Sequence, residues 1–175
     1  KGYTFALDAI AILKKEGIKF HYTIIANGRD HEHINYQIQD LGLNEVVTFI
    51  NGLTHNKVIK KVSESDLFFL SSVEEGISNA VLEAMALGIP VVTTNCGGMA
   101  EVIQNEINGF LVEVRDPLQI SAAIQSFINL SNHKKMDLIN YARKTIMDNH
   151  LLSNQVNQML SFYTSTNVGF GVKKY

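Results

Sequence analysis

Strand-like and helix-like segments alternate along this chain, and most are closed by glycine or Asn-Gly. That alternation constrains the fold more than any other feature. Tyr3 to Leu13 places Phe5, Ala6, Ala9, Ile10 and Leu13 at helical spacing, and Gly17 stops the helix. Phe20 to Ile25 is β-branched and aromatic, a strand broken by Asn27-Gly28. A polar helix from Glu32 to Leu41 stops at Gly42, and Val46 to Ile50 reads as the next strand, ended by Asn51-Gly52. Thr54 suits the N-cap of a short helix through Val58, Ile59 and Val62. Asp66 to Leu70 is almost continuously apolar, the pattern of a strand covered on both faces. After the polar loop Ser71 to Asn79, a helix runs to Leu87 and stops at Gly88. Ile89 to Thr94 is then a strand with Pro90 at its entry, where a missing N–H matters least. A short helix at Ala100–Gln104 and a short strand at Gly109–Val112 follow. From Pro117 onward the pattern is helical, over Leu118–Leu130, Lys134–Asp148 and Leu152–Tyr163.

Strands separated by helices at this spacing predict βαβ units with right-handed crossovers. The expected fold class is α/β, a Rossmann-like parallel sheet with helices on both faces. It forms one domain over residues 1–163, with 164–175 as a loose tail. Ligands of such sheets bind beyond the carboxyl ends of the strands. The loops that matter are therefore Ala26–Arg29, Asn51–His55, Ser71–Asn79 and Asn95–Met99. Composition narrows the function. An apolar share of 46% is that of a globular chain. Fifteen Lys and Arg against 17 Asp and Glu leave no basic footprint, so no nucleic-acid partner is expected. A single cysteine, Cys96, supports neither a disulfide framework nor a thiolate zinc cluster, which suits a reducing, cytoplasmic setting. No apolar run approaches the ~20 residues of a membrane span.

The loop Ser71-Ser72-Val73-Glu74-Glu75-Gly76-Ile77-Ser78-Asn79 is the richest in chemistry. It leaves a buried strand and enters a helix that begins near Ser78 or Asn79. Free N–H groups and the positive end of the helix dipole make that junction suited to a phosphate. Gly76 would permit backbone approach that a Cβ would obstruct. Glu75 precedes the helix and Glu83 lies about one turn inside it. Carboxylates there could accept hydrogen bonds from sugar hydroxyls on either side of a diphosphate. The residues alone leave a second reading open: Ser78 as a plain N-cap and Glu83 as a glutamate favoured by the dipole.

Glu75 to Val92, read as E-G-I-S-N-A-V-L-E-A-M-A-L-G-I-P-V-V, resembles the signature of the group 1 (family four) retaining glycosyltransferases. Gly97-Gly98-Met99-Ala100-Glu101 and Asn108-Gly109-Phe110-Leu111-Val112 resemble that family's later elements, in the same order. Lys1-Gly2 resembles the pair that opens the first helix of its C-terminal domain, and Val47 to Gly52 resembles a strand end of that domain. The likeness covers Lys1 to Pro117. It implies the donor-binding half of a two-domain GT-B enzyme, transferring sugar from a nucleotide-diphosphate sugar with retention of configuration. Glu75 and Lys1 would be the catalytic pair, with Glu75 on hydroxyls of the transferred sugar and Lys1 neutralising the diphosphate. Glu83 would hold the ribose. Gly76, Ile77, Ser78 and Asn79 would cradle the distal phosphate through their backbone. The implied donor is UDP- or GDP-linked, and no metal or other cofactor is implied. The acceptor, a glycan, lipid or small molecule, would be read by an N-terminal domain. Location would be cytoplasmic, with peripheral placement at the inner membrane face open for a full-length protein.

The chain also departs from the pattern. Of the family's glycine-rich turn after the second strand, only Gly28 is carried over, as Ala26-Asn27-Gly28. Ser71 stands where a proline is usual. The family's phosphate-binding arginine would precede Lys1, on a central strand expected ahead of the sequence. A nucleotide-sugar binding module without transfer, and an epimerase of the same architecture, stay open on this evidence. Among smaller candidates, His31 and His33 lack a third spaced metal ligand, and Cys96 reads as a small core filler. Gly97-Gly98 reads either as a tight turn or as a close approach to the donor. Asn51 and His55 lie in a strand-end loop near where a base would sit, with no role assigned.

Overall fold

The computed structural model describes residues 1–26 and 31–150. The predicted Gly28 contact, the helix Leu152–Tyr163 and the tail Thr164–Tyr175 lie outside the described residues, as does the side chain of His31. Twelve described elements alternate as the periodicity requires: α1 (Tyr3–Lys15), β1 (Tyr22–Ala26), α2 (His31–Asp40), β2 (Val47–Asn51), α3 (His55–Ser63), β3 (Phe68–Leu70), α4 (Asn79–Leu87), β4 (Val91–Thr94), α5 (Met99–Val102), β5 (Phe110–Val112), α6 (Pro117–Asn129) and α7 (Asn132–Asn149).

Every strand pairing is parallel. β1 pairs with β2, and β3, β4 and β5 form a second sheet with β4 in the middle. Pairing is interrupted between β1 and β3. There Tyr22 and Phe69 meet through their rings, with centroids 6.1 Å apart. The interruption shows in burial. Phe68, Phe69 and Leu70 of β3 are each half-buried rather than enclosed, whereas all four residues of β4 are fully buried. A strand with a neighbour on each side loses its edges to water; a terminal one does not.

Successive residues of β4 serve opposite cores, as the period-2 pleat demands. Val92, with Phe110 and Val112, joins Leu7, Ile10, Leu13, Ile120 and Phe127 from α1 and α6. Val91 joins Val81, Met85, Met99 and Ile146 from α4, α5 and α7. Helices thus cover both faces, and the α/β, Rossmann-like reading holds. Each fully buried Leu in these cores is worth about 1.5–3 kcal/mol over its exposed state.

The caps follow from local sequence. Asp116 Oδ1 accepts the Gln119 amide at 3.0 Å, with Pro117 opening α6, and Ser131 Oγ accepts the Lys134 amide at 3.4 Å ahead of α7. Gly88, at φ 80°, ends α4, and the Arg143 Nη2 group on α7 donates to the freed Leu87 carbonyl at 3.0 Å. The helix that carries the motif residues is therefore fixed at its far end.

Candidate functional site

Two close backbone approaches shape the mouth of the second sheet. β3 and β4 are parallel, so the loops at 71–78 and 95–98 leave the same edge. Gly97, at φ 55°, lies so near the first loop that a Cβ would land on the Glu75 carbonyl oxygen. A Cβ at Gly98 would stand 2.8 Å from Ile77 Cγ1. The Gly-Gly turn therefore packs directly against the Glu75–Gly76 backbone and the Ile77 side chain. The second approach is at Gly2, φ 71°, where a Cβ would collide with the Ser71 carbonyl. Ser71 Oγ donates to the Lys1 carbonyl at 3.2 Å. Glycine is what lets the entry to α1 cross the end of β3.

That crossing places Lys1 against Glu75. The Lys1 ammonium donates to Glu75 Oε2 in an ion pair, and Ser72 Oγ donates to the same oxygen at 3.1 Å. Ser72 is fully buried, and its carbonyl accepts from Thr94 Oγ1. The Lys1 hydrogen bond, aided by Ser72 and opposed by partial burial, holds the Glu75 carboxyl below its ordinary value. Glu75 is thus an ionised carboxylate with one oxygen committed to the protein.

Beyond Glu75 the backbone opens. Among the described residues, no acceptor takes the amides of Gly76, Ile77 or Asn79. Among the described residues, an added Cβ at Gly76 would meet no atom within 4 Å, so their packing does not require the glycine. Ser78 departs from the expected cradle: it is 5% exposed, and its amide donates to Met99 Sδ at 3.4 Å. Burying this N-cap residue commits its N–H to Met99, which leaves the amides of Gly76, Ile77 and Asn79 without an acceptor among the described residues.

Glu83, one turn into α4, is brought against α3. His55 Nε2 lies 3.5 Å from Glu83 Oε1. Since His55 opens α3 just after β2, this contact joins the carboxyl end of the first sheet to α4 beside the second. The sequence singled out His55 for its loop position but held no sign of its partner. Ser72 and Met99 lie in loops the sequence singled out, but no role was read for either side chain. Cys96 is buried beside Thr94 Oγ1, at 3.7 Å, as a core filler would be. Among the described residues, no three His, Cys, Asp or Glu side chains gather as metal ligands would. No described helix is long and apolar enough to cross a membrane.

Comparison with known proteins bears on family and fold. Residues 1–145 match the family described as Glycosyl transferases group 1. The amylovoran biosynthesis glycosyltransferase AmsK of Erwinia amylovora is 32% identical over 130 residues, covering 71% of this chain and 32% of AmsK. The chain thus spans about a third of the curated relative it matches. Among solved structures, the C-terminal domain of the group 1 glycosyl transferase LpcC from Francisella tularensis superposes with a TM-score of 0.76 at 23% identity. It covers 87% of this chain and 80% of that domain. Anabaena HepE in complex with UDP superposes with a TM-score of 0.84 at 21% identity, covering 94% of this chain and 45% of HepE. Another HepE structure holds UDP-glucose. A family match over most of the sequence, and a fold shared with one half of GT-B enzymes, lead to one placement: this chain belongs to the group 1 glycosyltransferases.

Proposed function

We propose that this chain is the donor-binding half of a retaining glycosyltransferase that takes a nucleoside-diphosphate sugar, with UDP or GDP as the carrier. The observation that carries the reading is the arrangement around the start of α4. An ionised Glu75, paired with Lys1, is followed by the unclaimed amides of Gly76, Ile77 and Asn79, and then by Glu83. Amides at a helix start suit a phosphate, and a carboxylate on each side suits the hydroxyls of the two flanking sugars.

The chemical task is departure of the nucleoside diphosphate from the anomeric carbon. Negative charge grows on the distal phosphate as that bond breaks. Preorganised amides and an ammonium are worth most where such charge develops. Lys1 would balance Glu75 in the empty site and turn toward the phosphate when the donor binds. Glu75 would then accept from hydroxyls of the transferred sugar, orienting it for attack on the retained face. The acceptor, whether glycan, lipid or small molecule, would approach from a second domain. UDP in HepE supports the choice of donor class.

Titration calorimetry of the chain with UDP, GDP and ADP in the presence of a chelator tests the reading. Binding of one of them, with micromolar to millimolar affinity on the order of that for a half-cleft, is the expected result. Heat from none of the three would refute it.

A further inference from the structure

We propose that His55 is a positioning residue for Glu83, aiming its carboxylate at the nucleoside ribose; this rests on the donor-site reading above. Among the described residues there are five close pairings of a basic side chain with a carboxylate, and three of them are local i,i+4 pairs along a helix or its cap: Lys60–Glu64, His133–Asp137 and Lys144–Asp148. Such pairs recur on solvated helix faces whatever the function. The two pairs that join distant parts of the chain are Lys1–Glu75 and His55–Glu83. They hold the two glutamates, Glu75 and Glu83, that the sequence placed on either side of the start of α4. A partner from another element is thus supplied to each motif carboxylate.

Stability does not account for the His55 contact. The imidazole is 67% exposed and Glu83 37% exposed, and pairs at such a surface add little to folding. What the contact does is restrict direction. A glutamate has three rotatable torsions, and the 3.5 Å approach of His55 Nε2 draws one oxygen toward α3 and leaves the other to accept from vicinal hydroxyls. α3 is suited to deliver that hold. It begins at His55, directly after Thr54, and Val62 on its inner side packs into the cluster shared with α4. The ring is therefore presented from a docked helix rather than from a free loop.

The test is calorimetric binding of UDP, GDP and ADP, and of their 2′,3′-dideoxy analogues by displacement, to the parent chain, His55→Ala and His55→Gln. For the ribonucleotide that binds, His55→Ala weakens affinity about fivefold, the scale of one lost hydrogen bond, and His55→Gln recovers most of it through its amide donor. The dideoxy analogue, which offers Glu83 no hydroxyl, binds the parent and His55→Ala within twofold of each other. Equal ribonucleotide affinity for parent and His55→Ala overturns the proposal while leaving the donor site intact. An equal loss for the ribonucleotide and its dideoxy analogue also overturns it, since the histidine would then act through the shape of α3. A parent chain that binds none of the nucleotides overturns both readings.

Discussion

Lys1 and Glu75 lie 74 positions apart and form an ion pair at the carboxyl end of β3, with Ser72 Oγ donating to the same carboxylate oxygen. Glu75 is the less exposed partner, at 22% against 49% for Lys1. Its ionisation is therefore tied to the lysine more than to water, and this gives a pH signature. The folded carboxyl titrates below its ordinary value of 4.5. The pair's contribution is thus complete at neutral pH, begins to fall as pH drops through the unfolded group's own titration, and is gone below the depressed folded value. Carboxyl-detected NMR titration should place the Glu75 midpoint below that of exposed glutamates. In Lys1→Met the midpoint should move up, and an unmoved midpoint would show that Lys1 is not the cause.

Gly97 and Gly76 should respond oppositely to alanine. At Gly97 the left-handed backbone and the Glu75 carbonyl both oppose a Cβ, so Gly97→Ala should cost about 1–3 kcal/mol of stability and displace the Glu75 loop. At Gly76 nothing among the described residues opposes it. Gly76→Ala should leave stability within about 0.5 kcal/mol and weaken nucleotide binding by intruding on the phosphate. Thermal melts paired with calorimetry separate the two, and a destabilised Gly76→Ala would mean that the open space had been misjudged.

The two glutamates should divide the donor between them. Glu83→Ala should weaken UDP or GDP itself, while Glu75→Ala should spare the free nucleotide and reduce the extra affinity of the nucleotide sugar. A hydrogen bond to a charged group is worth about 1.5–3 kcal/mol, or roughly tenfold and upward in Kd. Losses below twofold at both positions would contradict the division.

Asn108 shows that a motif element can serve the fold. It is 2% exposed, and its Nδ2 group donates to the Val102 carbonyl at 2.9 Å and to Thr145 Oγ1 at 3.0 Å. Its Oδ1 accepts the Gln104 amide at 2.8 Å. Asn108→Ala leaves the buried Val102 carbonyl short of a partner and should cost about 1–3 kcal/mol. Nucleotide affinity of the folded fraction should not change, a point checked by calorimetry well below the melting temperature.

Much of this was legible in advance. Gly17, Gly42 and Gly88 stand where helices end, each with the positive φ that makes glycine suitable there. The order of strands and helices matched throughout the described residues, because apolar period and capping act over a few neighbours. Strand limits were less faithful. Phe20 lies before β1, which begins where the Tyr22 amide meets the Val46 carbonyl at 2.8 Å, and Asp66 and Leu67 precede the ladder of β3. Ladder length depends on a partner strand, which apolar content alone cannot supply.

Sequence by itself determined the alternation of elements, the family, and the pair of glutamates flanking the start of α4, all encoded within short stretches of chain. Tertiary structure alone decided which side chain meets each glutamate, Lys1 for Glu75 and His55 for Glu83. It also decided that Met99 takes the Ser78 amide from the expected cradle. Those pairings depend on how crossovers return to a shared sheet edge, and no local pattern of residues records where a distant side chain will arrive.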